Sequence, residues 1–129
     1  MATASIRHND GIMIVTVHGE LTPEEIIRII REHYFSGTVR DVIWDLTDGT
    51  MSPMTGADLD TIARTAMEAV TAGARPEGKT YFVGSSLIDH NIFCKYVVSA
   101  ELLGTPARYQ VFKTLEEALS VLTFNSNRP

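Results

Sequence analysis

Cysteine is almost absent from this chain: Cys94 is the only one in 129 residues. One thiol rules out an intramolecular disulfide and any Cys-x-x-Cys metal or redox pair. Its apolar helical setting reads as that of a small packed hydrophobe. Glycine-rich phosphate loops are missing too, because the glycines from Gly73 to Gly84 match neither Gly-x-Gly-x-x-Gly nor the Walker pattern. His8, His18, His33 and His90 show no metal-ligand spacing such as His-x-x-x-His, so no metal and no cofactor is expected. The net charge is −5, and Arg28 and Arg31 share their helix with Glu24, Glu25 and Glu32. Nucleic-acid binding needs clustered cations to displace counterions from phosphates, so nucleic acid is set aside as a partner. No apolar run approaches the ~20 residues of a bilayer span, which argues against membrane insertion. Met1 to Asn9 lacks the basic-then-apolar pattern of a secretory signal. The expected location is the cytoplasm.

What remains is a pattern of alternating elements. The length suits one domain, 1–129, with a core over about residues 5–122 and a frayed tail at 123–129. Asn9-Asp10-Gly11 between two β-favouring runs, Ser5 to His8 and Ile12 to His18, signals a hairpin. Thr22-Pro23-Glu24-Glu25 has the parts of a helix start, with a hydroxyl cap, proline at the first position and a capping-box glutamate. The helix it opens buries Ile26, Ile29 and Ile30, with His33 as a further candidate for burial, and Ser36-Gly37 closes it.

Val42 to Leu46 reads as a buried strand, followed by a polar loop from Asp48 to Met54. A second helix then starts at Thr55 or Gly56 and runs to about Ala72, with Leu59, Ile62, Ala63, Ala66, Met67 and Val70 as its apolar stripe. Lys79 to Val83 is a strand, Leu87 to Leu103 a helix and Arg108 to Phe112 the last strand. Thr114 caps a final helix carrying Leu115, Ala118, Leu119 and Leu122. The order β-β-α-β-α-β-α-β-α implies an α/β fold, with a mostly parallel sheet and an N-terminal antiparallel hairpin.

In such folds the residues just after each strand gather on one edge, where helix amino termini present unpaired N–H groups. Glu20 and Thr22, then Thr47, Asp48 and Thr55, then Ser85 and Ser86, then Lys113 and Thr114 fall there. Each hydroxyl alone is an ordinary helix cap. Together they form a polar edge able to take an anion, a phosphate group or a partner loop, although Asp48 opposes a free anion unless Lys113 offsets it. Gly84-Ser85-Ser86-Leu87-Ile88 lacks the second glycine of a nucleophile elbow, so no catalytic residue is assigned and the chain is read as a non-enzyme.

The segment from Asp45-Leu46-Thr47 to Thr55-Gly56, with the order of elements, resembles the STAS domain of sulfate-transporter tails and bacterial anti-sigma-factor antagonists. In that family a strand ends in Asp-Leu-Ser, and a phosphorylatable serine followed by glycine opens the next helix. The resemblance puts Thr47 at the strand-end serine, Thr55 at the phosphorylated serine and Gly56 at the glycine. Pro53 stands where the family has an acidic residue, and Met54 follows it. Other stretches are similar to a bacterial STAS-like group related to lipid-binding Sec14-type folds. They are Trp44-Asp45-Leu46, Gly78-Lys79-Thr80, Val111-Phe112 and Leu115-Glu116-Glu117-Ala118, and the similarity spans roughly residues 10–122.

The resemblance implies a non-catalytic, STAS-like protein-interaction module in bacterial regulation with Thr55 as a phosphosite, and the strand-end positions give Thr47, Asp48, Thr55, Ser85 and Ser86 as its binding edge. The alternative is a small carrier holding an apolar or lipid-like ligand between sheet and helices, with Met13, Met51, Met54 and Met67 as adaptable lining. Ile92, Phe93, Tyr96, Val97, Ala100 and Leu103 are expected to cover the sheet. Leu87, Cys94, Val98 and Leu102 extend that helix's apolar surface beyond one packing face, which favours a homodimer.

Overall fold

A computed structural model describes residues 3–73, 79–84, 86–104 and 108–126. Strand β1 (Thr3–Asn9) pairs antiparallel with β2 (Ile12–Leu21). Their two-residue turn places Asp10 at φ 51° and Gly11 at φ 82°. Two successive left-handed residues match the right-handed twist of the flanking strands, and Asp-Gly adopts them at low cost. Helix α1 (Pro23–His33), strand β3 (Asp41–Met51), helix α2 (Gly56–Thr71) and strand β4 (Lys79–Val83) follow. Helix α3 (Leu87–Leu102), strand β5 (Arg108–Phe112) and helix α4 (Leu115–Ser126) complete the order.

The sheet order is β1-β2-β3-β4-β5, parallel from β2 onward. Because every right-handed crossover steps the same way along the sheet, α1, α2 and α3 lie on one face. Met13, Val15, Val17, Val42, Trp44 and Phe82 point to that face, and Ile29, Ile62 and Phe93 pack onto them. The alternate residues Ile14, Ile43, Tyr81 and Phe112 face α4 through Ala118 and Leu122. Both faces of the central strands are therefore covered, which is why they read as continuous apolar runs.

Aromatic side chains knit the helix-covered face. Phe82 stacks on Phe93 with centroids 4.5 Å apart and meets Tyr96 edge-on at 5.8 Å. Buried Trp44 donates its indole N–H to the Tyr34 hydroxyl at 3.1 Å, so its polar handle is satisfied inside the core.

Four local expectations change. The α2 stripe turns toward Thr65 and Ala69, both buried, while Ala66, Met67 and Val70 are only half-buried. Thr65 is tolerated there because its hydroxyl bonds back to the Thr61 carbonyl at 2.8 Å. His33 stays partly exposed and sits beside His8, ring centroids 5.6 Å apart. Helix α4 extends to Ser126, past residue 123 where the tail is expected to begin; residues 127–129 lie outside the described ones. The largest change concerns β3, which does not stop at Leu46.

Candidate functional site

Strand β3 passes through Asp48 and Thr50 to Met51, still paired with β2, so Thr47 and Asp48 stand on a strand rather than in a loop. A bulge makes this possible. Thr16 faces Asp45 and His18 faces Asp48, which leaves β3 with one residue more than β2 between these pairs. Buried Asp45 holds the bulge: its Oδ1 accepts from the Thr47 N–H at 3.0 Å and from the Thr47 hydroxyl at 2.6 Å. An Asp side chain bonding the backbone two residues on substitutes for a turn, so the strand kinks and then resumes its ladder. Past the kink the strands approach closely, because a Cβ on Gly49 would stand 2.7 Å from the Val17 carbonyl oxygen.

All four α-helices among the described residues begin on the edge to which this strand leads, each under a hydroxyl cap. The Glu25, Asp58, Asp89 and Glu117 amides donate to Thr22, Thr55, Ser86 and Thr114 at 3.3, 3.1, 3.4 and 3.2 Å. The capping box expected at α1 is only half made: the Thr22 hydroxyl donates to the Glu25 carboxylate at 3.0 Å, and no return bond to the Thr22 N–H forms. The complete box is at α2, where the Thr55 N–H donates to Asp58 Oδ2 at 2.9 Å. Exposed Thr55 is thus a structural cap of α2. Because Asp58 already occupies the start of α2, a free anion is disfavoured there.

Asp48 and Ser86 are exposed on the same edge, while Ser85 lies outside the described residues. Leu87 and Ile88, next to Ser86, are 74% and 69% exposed. Farther along α3, Cys94 is exposed rather than packed as its apolar setting suggests, because it lies with Val98 and Leu102 on the face turned away from the sheet, whereas Phe93, Tyr96 and Ala100 are buried against it. Two residues join the edge that the sequence pattern does not single out. Asp89, 1% exposed in the first turn of α3, accepts from the Thr50 hydroxyl at 3.0 Å and the Met51 N–H at 2.9 Å. The Ser86-x-x-Asp89 spacing of a capping box is the available signal for Asp89, whereas nothing local marks Thr50.

Between the sheet and α1, α2 and α3 lies a cavity of about 30 Å³, lined by Trp44, Leu46, Met51, Phe82 and Phe93 among others. That is room for a water or so, and a lipid-like ligand would have to displace side chains. Met13 is fully buried in the core. Among the described residues, no group of three or more His, Cys, Asp or Glu side chains gathers as a metal site would require. No helix among them is long and apolar enough to cross a membrane.

This architecture, a mixed five-stranded sheet with an antiparallel first pair, is a STAS-like α/β fold. Solved structures of anti-sigma-factor antagonists share it. The chain is similar to the anti-sigma factor antagonist SpoIIAA in its unphosphorylated form, at 18% identity, covering 94% of this chain and 98% of that one with a TM-score of 0.61. It matches the phosphorylated form of SpoIIAA, a Bacillus cell fate determinant, at 18% identity, 93% and 99% coverage and a TM-score of 0.60. An anti-sigma factor antagonist from Mycobacterium paratuberculosis matches at 16% identity, 94% and 93% coverage and a TM-score of 0.57. No protein-family model and no curated protein matches the sequence.

Proposed function

We propose that this chain is a non-catalytic, STAS-like interaction module of bacterial regulation, acting in the cytoplasm. It binds a regulatory protein partner through the edge that carries Thr47, Asp48, Thr55 and Ser86, with Ser85 assigned to that edge by sequence position. Thr55 is its phosphorylation switch. The observation that carries the reading is exposed Thr55 at the start of α2, in a fold shared with an antagonist solved in phosphorylated and unphosphorylated forms. Exposed Leu87 and Ile88 beside the polar caps suit a protein partner, since interfaces join an apolar centre to a polar rim.

A phosphoryl group on Thr55 would add ~1.5–2 negative charges and three acceptor oxygens. The α2 amino terminus favours that charge, but the Asp58 carboxylate already holds the Thr55 N–H and repels it. The cap would have to rearrange, and the surface offered to the partner changes in both charge and shape. No catalytic group is needed in the domain itself. The exposed line of Leu87, Cys94, Val98 and Leu102 along α3 is read as the contact face for a second copy of the chain.

Affinity capture from the source organism's lysate, with wild-type, Thr55→Ala and Thr55→Glu baits of verified fold, tests the switch. A protein retained by wild type and Thr55→Ala but lost with Thr55→Glu is the expected result. Identical retention by all three baits, or by none, ends the reading. Sedimentation of wild type against Leu102→Glu tests self-association separately.

A further inference from the structure

Helices α2 and α3 open with the same pattern, a hydroxyl cap and an aspartate three residues later: Thr55 with Asp58, Ser86 with Asp89. In α2 both bonds of the box are made. In α3 only the amide-to-hydroxyl bond forms, and it is long at 3.4 Å. The Asp89 carboxylate has turned away from its own helix start, and Oδ1 holds the Thr50 hydroxyl and the Met51 N–H instead. Its Oδ2 is buried without a hydrogen-bond partner among the described residues. A buried carboxylate oxygen left unpaired is costly, so the engaged position is incompletely satisfied. The alternative, closing the box on the Ser86 N–H as Asp58 does on Thr55, lies within the same turn of helix.

We propose that Asp89 is a two-position latch. In the position seen, it clamps the end of β3 to α3. Swung back onto Ser86, it releases Thr50 and Met51, and with them the short segment Ser52-Pro53-Met54 that delivers Thr55. The Ser52 N–H remains bonded to the Leu21 carbonyl at 2.9 Å, so release pivots the segment about β2 rather than unfolding it. The latch couples the apolar start of α3 to the position of Thr55. It belongs to the free chain and needs no partner, so its test stands or falls apart from the binding reading.

Relaxation-dispersion NMR on the full chain reads such an exchange on the microsecond-to-millisecond scale. The amides of Met51 to Thr55 (Pro53 apart) and of Ser86 to His90 are expected to exchange at one common rate in wild type. Asp89→Ala is expected to abolish that exchange and to speed hydrogen exchange at the Met51 amide at least tenfold, with Val42 to Leu46 unchanged. Thr50→Val, at an exposed position, keeps the carboxylate but removes one of its two engaged bonds, and is expected to raise the released population several-fold. It serves if Asp89→Ala does not fold. A role confined to capping α3 would move the His90 and Asn91 amides and leave Met51 alone. Flat dispersion in wild type, exchange in only one segment, or exchange unaltered by Asp89→Ala or Thr50→Val would overturn the latch.

Discussion

Glycine-to-alanine substitution should have opposite signs at two places in this chain, and the difference tests the geometry of the kinked β3. At Gly49 an added Cβ would lie 2.7 Å from the Val17 carbonyl oxygen and 2.9 Å from Val17 Cγ1. Ordinary contact begins several tenths of an ångström farther out. The nearer atom is backbone in a central strand, so it cannot rotate away. Forcing a methyl into a packed site costs roughly 1–3 kcal/mol, against which the lower backbone entropy of alanine returns about 0.5–1 kcal/mol. An unyielding backbone contact this short puts the cost in the upper half of that range, about 2–3 kcal/mol, so Gly49→Ala should destabilise by about 1–2.5 kcal/mol net. Gly56 opens α2, and a methyl added there would meet nothing within 4 Å, so Gly56→Ala should be neutral or stabilise by up to about 1 kcal/mol. Urea denaturation checks both: the midpoint should fall for Gly49→Ala at unchanged slope, and stay or rise for Gly56→Ala. Trimming Val17 to alanine removes the Cγ1 contact but not the carbonyl, so the double variant should recover little of the specific penalty. A neutral Gly49→Ala, or full rescue by Val17→Ala, would refute the close strand approach and with it the placement of Thr47 and Asp48.

Loss of the Thr55 cap in Thr55→Ala should cost about 1 kcal/mol. Because Asp58 is its reciprocal partner, a thermodynamic cycle with Asp58→Ala should show the double variant losing less than the sum of the singles. Asp45→Ala leaves the Thr47 N–H and hydroxyl without their acceptor and should destabilise by about 1–3 kcal/mol; Asp45→Asn, which keeps the acceptor oxygen, should lose less in the same melts. Burial first, and then the nearby Asp41 carboxylate, raise the Tyr81 phenol above its ordinary value, with Arg108 partly opposing them. The folded state then holds its proton to higher pH than the unfolded state. Stability from this residue is complete below the ordinary tyrosine value near 10 and is lost as pH rises through the folded value. Alkaline melts should show that loss in wild type and less of it in Tyr81→Phe.

Elements were legible wherever a local signal and burial agreed. Asp10-Gly11 alone is enough to reverse the chain between β1 and β2. The isoleucines of α1 mark its inner face because their spacing matches the helix period. The end of β3 was not legible, because Asp45-Leu46-Thr47-Asp48-Gly49-Thr50 has the composition of a loop. It remains a strand because Asp45 satisfies the bulge from within and Gly49 lets β2 approach, and both are facts about a neighbouring strand. Thr65 likewise entered the core against its type, since its hydroxyl found an acceptor on its own helix.

The edge itself shows most clearly where local reading stops. Thr55-x-x-Asp58 and Ser86-x-x-Asp89 are the same signal, and by propensity each aspartate should close a box on its own helix start. Asp58 does so because its side chain is at the surface with no rival donor. Asp89 does not, because β3 runs long enough to bring the Thr50 hydroxyl and the Met51 N–H within 3.0 and 2.9 Å of it. The misread length of one strand therefore also hid the role of a carboxylate some forty residues later in the chain. Both follow from the bulge at Asp45, whose own signal is only an aspartate two residues before a threonine. Of the residues assigned to the edge, the exposed hydroxyls at Thr55 and Ser86 could be located from sequence, but the groups that hold them in place could not.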